Sequence, residues 1–315
     1  MTIGDTSPAA GEETATGYDC LRVHCVIYEM PPDRIERAID YLSRAVEHAI
    51  AAKLVNAIDL AYGDCSANPT FSSGELGNIA SKYPGLRDVT VTFINKNLGS
   101  AAGHNRLLSQ SSADLTLILN PDVLVAPDLL IELIRAIRRP KIGVVEARQI
   151  PCEHPKDFDP ETGETSWCST ACLLALTRVL KYVGGFDSDT FFLYCDDVDL
   201  SWRVRLAGHA IAFQPTAVCY HDKRLSNGAQ WQVGAAERYF SAEAGLLLPY
   251  KYSRSDLTEK YLAHFANSDD PELKSAAAAF EERRQTGRVP LQLDPEHKVA
   301  QFIDGDYAKK RFQTR

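Results

Sequence analysis

The chain has 315 residues, yet it contains no long apolar run and no excess of basic residues. Its longest apolar stretches, such as Leu115–Leu119 and Gly245–Pro249, are far shorter than the roughly 20 residues that span a bilayer. Lys and Arg number 34 against 42 Asp and Glu, for a formal net charge of -8. We therefore expect no transmembrane segment and no nucleic-acid partner, since duplex binding depends on a basic surface.

Several catalytic and redox motifs are also missing. The eight cysteines form no CxxC pair, which favours reduced thiols and a cytoplasmic protein. Residues 1–18 carry no Lys or Arg and no apolar segment, so we expect a disordered leader and not a secretory signal. Gly99 and Gly103 do not complete GxGxxG, no Walker lysine follows them, and GxSxG and HExxH are absent. These absences disfavour a Rossmann dehydrogenase, a P-loop NTPase and a serine hydrolase.

What the sequence does contain is an alternation of strand and helix patterns. With 45% hydrophobic and 24% charged residues, the chain is able to bury a large core. Helical spacing of apolar residues separates short apolar or β-branched runs, and Asp33 with Glu36 resembles a capping box before the first helix. The predicted strands are Leu21–Tyr28, Val55–Ala61, Asp88–Asn95, Leu115–Leu119 and His209–Tyr220. This order predicts an α/β fold with a doubly wound, mostly parallel, Rossmann-like sheet.

The pattern changes after residue 221. Three helical segments follow, at Ala235–Leu248, Asp256–Phe265 and Leu273–Arg284. We therefore predict a catalytic domain over residues 19–221 and a helical C-terminal extension over residues 222–315.

In open α/β sheets, ligands bind beyond the carboxyl ends of the strands. Asn120-Pro121-Asp122 and His221 each end a predicted strand. A carboxylate and an imidazole at one edge suit a divalent cation, although an ordinary Asx-Pro turn and a structural histidine explain the same residues. Two further strand ends carry polar residues, namely Tyr28-Glu29 and Asp64-Cys65-Ser66.

Asp196, Asp197 and Asp199 open a predicted helix that Gly208 closes. One carboxylate suffices to cap a helix, so the surplus favours an acid that faces a ligand and acts as a general base.

The chain resembles family 2 glycosyltransferases, and most closely the bacterial rhamnosyltransferase and galactofuranosyltransferase branch. The resemblance covers residues from about 21 to 224 and depends on four motifs in order. These are Asn97-Leu98-Gly99 with Gly103 and Asn105, Leu119-Asn120-Pro121-Asp122, Gly184-Gly185-Phe186-Asp187, and Phe191 to Leu200 with Arg203 and Gly208.

The resemblance implies a GT-A fold, a nucleotide-diphosphate-sugar donor with UDP or dTDP, Mn2+ or Mg2+, and inversion at the anomeric carbon. It implies that Asp122 and His221 bind the metal and that Asp197 is the general base. It also implies donor contacts from Tyr28, Glu29, Asp64, Ser66, Asn97, Gly99, Asn105 and Asn120, and sugar or acceptor contacts from Trp167, Thr170, Ala171 and Asp196.

Three departures from the family pattern matter. Asn120 replaces the first acid of the DxD motif, and Thr170 replaces a glycine that is usual before Ala171. Tyr28-Glu29 and Gly63 to Ser66 match the family's nucleotide-base motifs only loosely.

Two other functions stay open. A sugar-phosphate nucleotidyltransferase needs a glycine-rich basic loop near its N-terminus, and Pro31-Pro32-Asp33-Arg34 lacks those glycines. A non-catalytic nucleotide-sugar-binding module is expected to have lost the base, whereas Asp197 is present. The expected acceptor is a carbohydrate or another hydroxyl compound. Peripheral contact with the inner face of a membrane and self-association into a homo-oligomer also stay open.

Overall fold

A computed structural model describes residues 17–221, 234–308 and 313–314. The predicted leader lies almost wholly outside these residues, as does the start of the C-terminal extension. The elements in chain order are β1 (Tyr18–Ile27), α1 (Pro32–Ala51), β2 (Val55–Asp64), α2 (Ser73–Lys82), β3 (Asp88–Phe93), α3 (Gly99–Ser109), β4 (Leu115–Leu119), β5 (Val123–Val125), α4 (Leu129–Ile137), β6 (Ile142–Ile150), β7 (Cys152–Glu153), β8 (Cys172–Leu176), α5 (Thr177–Tyr182), α6 (Asp196–Leu206), β9 (Ala210–His221), α7 (Ala235–Lys251), α8 (Ser255–Ala266), α9 (Pro271–Gln285) and β10 (Gln313–Thr314).

One eight-stranded sheet carries the fold, with strand order β3-β2-β1-β4-β8-β6-β9-β5. The pairs β1–β2, β1–β4, β2–β3 and β6–β9 are parallel. Strand β8 runs antiparallel to both β4 and β6, and the short β5 runs antiparallel to β9. The prediction of a mostly parallel α/β sheet is therefore confirmed, with a reversed strand at its centre.

Helices cover the sheet because their apolar faces have nowhere else to be buried. Helix α1 buries Ile35, Ile39, Leu42 and Val46 at helical spacing. Its first residue is Pro32 and its N-cap is Pro31, which has no side chain able to cap, so the predicted capping box at Asp33 and Glu36 is wrong. In the part of the chain that the structure describes, no helix has both the length and the hydropathy needed to cross a membrane.

The C-terminal helices form a second apolar core together with residues 167–202. Trp167, Phe191 and Trp202 pack there against Tyr252 and Phe280. The ring of Tyr252 meets that of Trp202 edge-on, with centroids 4.7 Å apart. Helices α7, α8 and α9 thus bury apolar side chains of the N-terminal part of the chain that would otherwise be exposed to solvent.

Two buried histidines lie inside the sheet region. His24 on β1 and His104 on α3 are both inaccessible to solvent. Burial lowers the pKa of His104 to about 4, and burial, with the charges of His104 and Arg22, lowers that of His24 to about 3. Both histidines are therefore neutral in the folded protein at physiological pH.

These histidines predict a loss of stability in mild acid. Their pKa values in the folded protein lie below the unfolded value of about 6.5, so the unfolded chain binds more protons between about pH 4 and 6.5. Stability is complete above that range and falls as the pH drops through it. Replacing His104→Leu should reduce the difference in unfolding free energy between pH 7 and pH 5 by about 1–2 kcal/mol, measured by urea titration. A variant with the wild-type pH difference would contradict this account.

Candidate active site

The loops after β1 and β2 lie side by side, because the parallel register sets Ile27 beside Asp64. The backbone N–H of Glu29 donates to Ser66 Oγ at 2.9 Å, and the N–H of Ala67 donates to Glu29 Oε1 at 3.3 Å. Glu29 adopts a left-handed backbone conformation, with φ of 50°. Tyr28 beside it is 53% exposed, so its ring is open to a ligand.

Asp64 has a structural part in this pair of loops. Its carboxylate is fully buried and accepts hydrogen bonds from the backbone N–H groups of Ser66, at 3.0 Å, and Thr70, at 2.7 Å. Both oxygens thus hold the loop that follows β2. The Asp64 side chain thus faces its own loop, and its contact with a donor stays a prediction.

The start of α3 lies against the segment before α6. Asn97 Oδ1 accepts from the N–H of Gly99 at 3.1 Å, and Gly99 has φ of +73°. A Cβ at Gly99 would lie 2.5 Å from the carbonyl oxygen of Phe192, so only glycine fits this approach.

Asn105 joins α3 to the glycine pair at 184–185. Its amide donates to the carbonyl of Phe186 at 2.8 Å and accepts from the N–H of Phe186 at 2.8 Å. The side chain therefore positions this loop, and the donor contact at Asn105 stays a prediction.

Asp122 and His221 meet at the sheet edge. The antiparallel register pairs Val123 with His221, which brings Asp122 Oδ1 to 3.3 Å from His221 Nε2. The imidazole is buried, whereas the Asp122 side chain is 30% exposed. His221 Nδ1 lies 2.8 Å from Gln149 Oε1, and Gln149 Nε2 donates to Ser169 Oγ at 3.2 Å.

The contact with Gln149 orients the imidazole. Gln149 presents an oxygen to Nδ1, so Nδ1 carries a hydrogen and Nε2 faces the Asp122 carboxylate. Two acceptors at this distance are stable with a cation or a proton between them. A histidine whose other nitrogen donates to a fixed oxygen is the usual arrangement of a metal ligand.

The pair fits a six-coordinate divalent cation. Adjacent ligands bound at about 2.1 Å stand about 3 Å apart, close to the 3.3 Å between these atoms. Among the described residues, no group of three or more His, Cys, Asp and Glu side chains is arranged to hold a metal. Asp122 and His221 would therefore hold a cation that takes its other ligands from phosphate and water.

Helix α6 begins at Asp196 after two residues in the left-handed conformation, Tyr194 with φ of 67° and Cys195 with φ of 55°. Such backbone conformations cost energy and concentrate at functional sites. Cys195 is the N-cap and makes no side-chain capping bond, whereas Asp197 accepts a backbone N–H in the first turn of the helix.

The two acids at the helix start differ in environment. Asp196 is buried, and its Oδ2 has no hydrogen-bond partner among the residues described. Burial, with the neighbouring charge of Asp197, raises the pKa of Asp196 to about 8. Asp197 is half-buried and accepts from the N–H of Val198 at 2.8 Å. Near neutral pH, Asp196 is therefore mostly protonated.

Asp199 faces the C-terminal helices and not a ligand. It is fully buried, accepts from Arg203 Nε at 2.7 Å and Tyr252 Oη at 3.0 Å, and lies 2.5 Å from Lys251 Nζ. Lys251 also donates to Asp187 Oδ2 at 2.6 Å. The third acid is thus a structural ion pair, which corrects the argument from a surplus of acids.

Residues 168–171 connect the metal pair to the helix of Asp197. Ser201 Oγ accepts from the N–H of Cys168 at 2.9 Å and donates to the carbonyl of Asp197 at 2.8 Å. Ser169 binds Gln149, and the carbonyl of Ala171 accepts from the N–H of Asn120 at 2.9 Å. Thr170, between them, is nearly buried. This segment therefore brings Asn120, Thr170 and Ala171 to the site.

Trp167 stands apart from that centre. It is 2% exposed, its ring meets Tyr307 edge-on at 5.2 Å, and Lys156 Nζ lies 3.9 Å from its centroid. It contributes to the wall of a cavity of about 610 Å³ between residues 155–167 and 301–308. Neighbouring side chains cover most of the ring, and its contact with a sugar or acceptor stays a prediction.

The sequence patterns did not predict a role for Gln149, Ser169 or Lys251. None of them lies in a motif, and each acts through a partner at least 20 positions away. The position of Gln149 near the end of β6 was the available signal, since strand ends carry the other site residues.

Residues 71–200, which include Asp122 and Asp197, match the model of Glycosyl transferase family 2. Over this segment the chain resembles family 2 glycosyltransferases. The chain is similar to N-acetylglucosaminyl-diphospho-decaprenol L-rhamnosyltransferase of Mycobacterium tuberculosis, with 25% identity over 257 residues, covering 67% of this chain and 78% of the relative. Rhamnosyltransferase WbbL of Escherichia coli is 30% identical over 93 residues, 28% of this chain and 35% of the relative.

Solved structures show the same fold. The mannosyltransferase PcManGT of Pyrobaculum calidifontis, in complex with GDP-Man and Mn2+, has a TM-score of 0.56 at 18% identity, covering 88% of this chain and 80% of that chain. GalNAc-T7 with UDP, GalNAc and Mn2+ has a TM-score of 0.62 at 12% identity, covering 89% and 56%. The fold is therefore that of the GT-A glycosyltransferases.

Proposed function

We propose that this protein is an inverting glycosyltransferase that moves a sugar from a nucleotide-diphosphate-sugar to an acceptor hydroxyl with the help of a divalent cation. The observation that carries the proposal is the Asp122–His221 pair, whose imidazole is fixed by Gln149 and tied through residues 168–171 to the helix of Asp197. The proposed metal ligands and the proposed general base are thus linked by hydrogen bonds through residues 168–171.

Asp122 and His221 would hold Mn2+ or Mg2+, the former being the ion named for two structures of similar fold. When bound there, the cation would offset the negative charge of the leaving diphosphate. Asn120 stands in place of a second acid, so Asp122 would be the one carboxylate that this motif offers to a cation.

Asp197 accepts the proton of the acceptor hydroxyl. Its partner Asp196 is protonated by burial, so a single ionised carboxylate is available at the helix start. The hydroxyl oxygen attacks the anomeric carbon opposite the departing phosphate, which inverts the configuration and requires no covalent enzyme intermediate.

Donor recognition falls to the loops after β1, β2 and β3. The exposed ring of Tyr28 is placed to contact the nucleotide base, and Glu29 and Ser66 hold each other at the same edge. Asp64, Asn97 and Asn105 shape these loops and the start of α3. We assign them positioning roles within the donor site.

A screen of UDP- and dTDP-sugars with Mn2+ and with Mg2+ tests the proposal. The expected result is metal-dependent hydrolysis of one donor, together with a thermal shift that requires both donor and cation. If donor hydrolysis and the thermal shift did not depend on the cation, the metal assignment would be contradicted. Turnover of a sugar phosphate with a nucleoside triphosphate would support the nucleotidyltransferase alternative.

A further inference from the structure

A second cavity, of about 190 Å³, lies between the loop before α6, helices α7 and α8, and the segment 302–307. We call it the ring cavity. Its wall includes Tyr194, Gly245, Leu248, Tyr261, Phe265 and Phe302. Most of this wall is aromatic or aliphatic carbon.

Gly245 keeps the ring cavity open. It lies inside α7, where glycine is less favourable than alanine. A Cβ added at Gly245 would meet no atom of the described residues within 4 Å, whereas its neighbours Leu246, Leu247 and Leu248 are buried. The helix thus carries its smallest residue at the position that faces open space, so a larger side chain there would enter the cavity without displacing the fold.

The size and lining of the cavity indicate one class of occupant. A cavity of about 150 Å³ lined by Leu, Ile and Phe binds benzene. The ring cavity has room for one aromatic ring or a short branched hydrocarbon, and aromatic walls favour a planar apolar group. A long lipid chain needs more room than this volume provides.

The position of the cavity connects it to the proposed chemistry. Tyr194 and Cys195 line it, and they directly precede Asp196 and Asp197. Their left-handed conformations turn the chain from the cavity wall into the helix that carries the base. A group held in the cavity therefore lies next to the start of that helix.

We propose that the ring cavity binds an apolar ring or short branched hydrocarbon that the acceptor carries next to its reacting hydroxyl. This inference rests on the proposed function. In the reaction, the hydroxyl oxygen forms a bond to the anomeric carbon, the bond from that carbon to phosphate breaks, the diphosphate leaves with the electron pair, and Asp197 takes the hydroxyl proton.

Two measurements test the inference, with Gly245→Leu and the smaller Gly245→Ala as variants. Gly77→Leu is the matched control, because Gly77 also lies in a helix with open space around its Cβ, in α2. Benzyl alcohol is the binding probe, followed by saturation-transfer NMR. Turnover is compared between p-nitrophenyl and methyl glycosides of glucose, galactose and N-acetylglucosamine, and metal-dependent donor hydrolysis is recorded for every variant.

We expect benzyl alcohol to bind the wild type and Gly77→Leu but not Gly245→Leu. We also expect kcat/KM for the p-nitrophenyl acceptor to exceed that for the methyl acceptor by about tenfold or more, as one apolar pocket allows. Gly245→Leu should abolish that preference, Gly245→Ala should reduce it, and donor hydrolysis should stay at the wild-type rate.

Equal benzyl alcohol binding by wild type and Gly245→Leu, or equal use of both glycosides by the wild type, would overturn the inference while leaving the proposed function intact. A preference for a long polyprenyl acceptor that Gly245→Leu does not change would also overturn it. If the wild type showed no metal-dependent donor hydrolysis, the proposed function and the inference would be overturned together.

Discussion

Asp197→Asn should lower the rate of sugar transfer by about 10²- to 10⁴-fold, the usual cost of losing general base catalysis. The amide keeps the size of the carboxylate but does not accept the acceptor's proton. Asp197 is not one of the proposed metal ligands, so donor and cation binding should stay close to wild type. Steady-state kinetics with a saturating donor, combined with donor titration by calorimetry, measures both quantities.

Asp196→Asn is the matched control. Asp196 is buried and its pKa is raised to about 8, so asparagine resembles the protonated acid already present near neutral pH. We expect this variant to keep most of the wild-type turnover at pH 7. Equal losses in both variants would mean that the acids act together and would contradict the assignment of the base to Asp197 alone.

Lys251→Met should destabilise the protein by up to about 3–5 kcal/mol, because it removes a buried cation that Asp187 and Asp199 share, although Asp199 keeps its ion pair with Arg203. Lys251 is buried between Asp187 and Asp199, at 2.6 Å and 2.5 Å from their carboxylates. It ends α7, whereas both acids belong to the catalytic half of the chain. Urea unfolding followed by circular dichroism measures the loss.

An exposed lysine provides the control for this prediction. Lys298 pairs with Glu296 at 2.7 Å on the surface, where an ion pair contributes little. Lys298→Met should therefore change the free energy of unfolding by less than about 1 kcal/mol. If the two variants were equally stable, the ion pairs of Lys251 would not be what joins the C-terminal helices to the core.

Much of the fold followed from local patterns. Strand β4 has the predicted bounds Leu115–Leu119, and Gly208 closes α6 as its position predicted. Strand β8 was not predicted to run antiparallel, because a short apolar run carries no signal of its direction. The predicted start of α1 was wrong because Asp33 lies inside the helix. Ser72 and Glu75 form a capping box at the start of α2.

The site was predictable where a residue directly ends a strand. Asp122 directly precedes β5 and His221 is the last residue of β9, and these two strands pair, so the sheet brings the residues together. Gln149 and Lys251 were not predictable, because their roles depend on partners 72 and 64 positions away. Asp64 and Asn105 were predicted to contact the donor from their motif positions alone. In the structure their side chains accept hydrogen bonds from backbone N–H groups of neighbouring loops.

The central claim, a cation site at Asp122 and His221 that serves the donor, is tested most directly by Mn2+ affinity in the presence of UDP or dTDP. Calorimetric titration of the wild type, Asp122→Ala, His221→Ala, Gln149→Leu and the exposed-histidine control His264→Ala gives this affinity. The account predicts a loss of about 10- to 100-fold for Gln149→Leu, as for other partners of metal ligands, a larger loss for Asp122→Ala and His221→Ala, and no change for His264→Ala. Wild-type Mn2+ affinity in both Asp122→Ala and His221→Ala would contradict it.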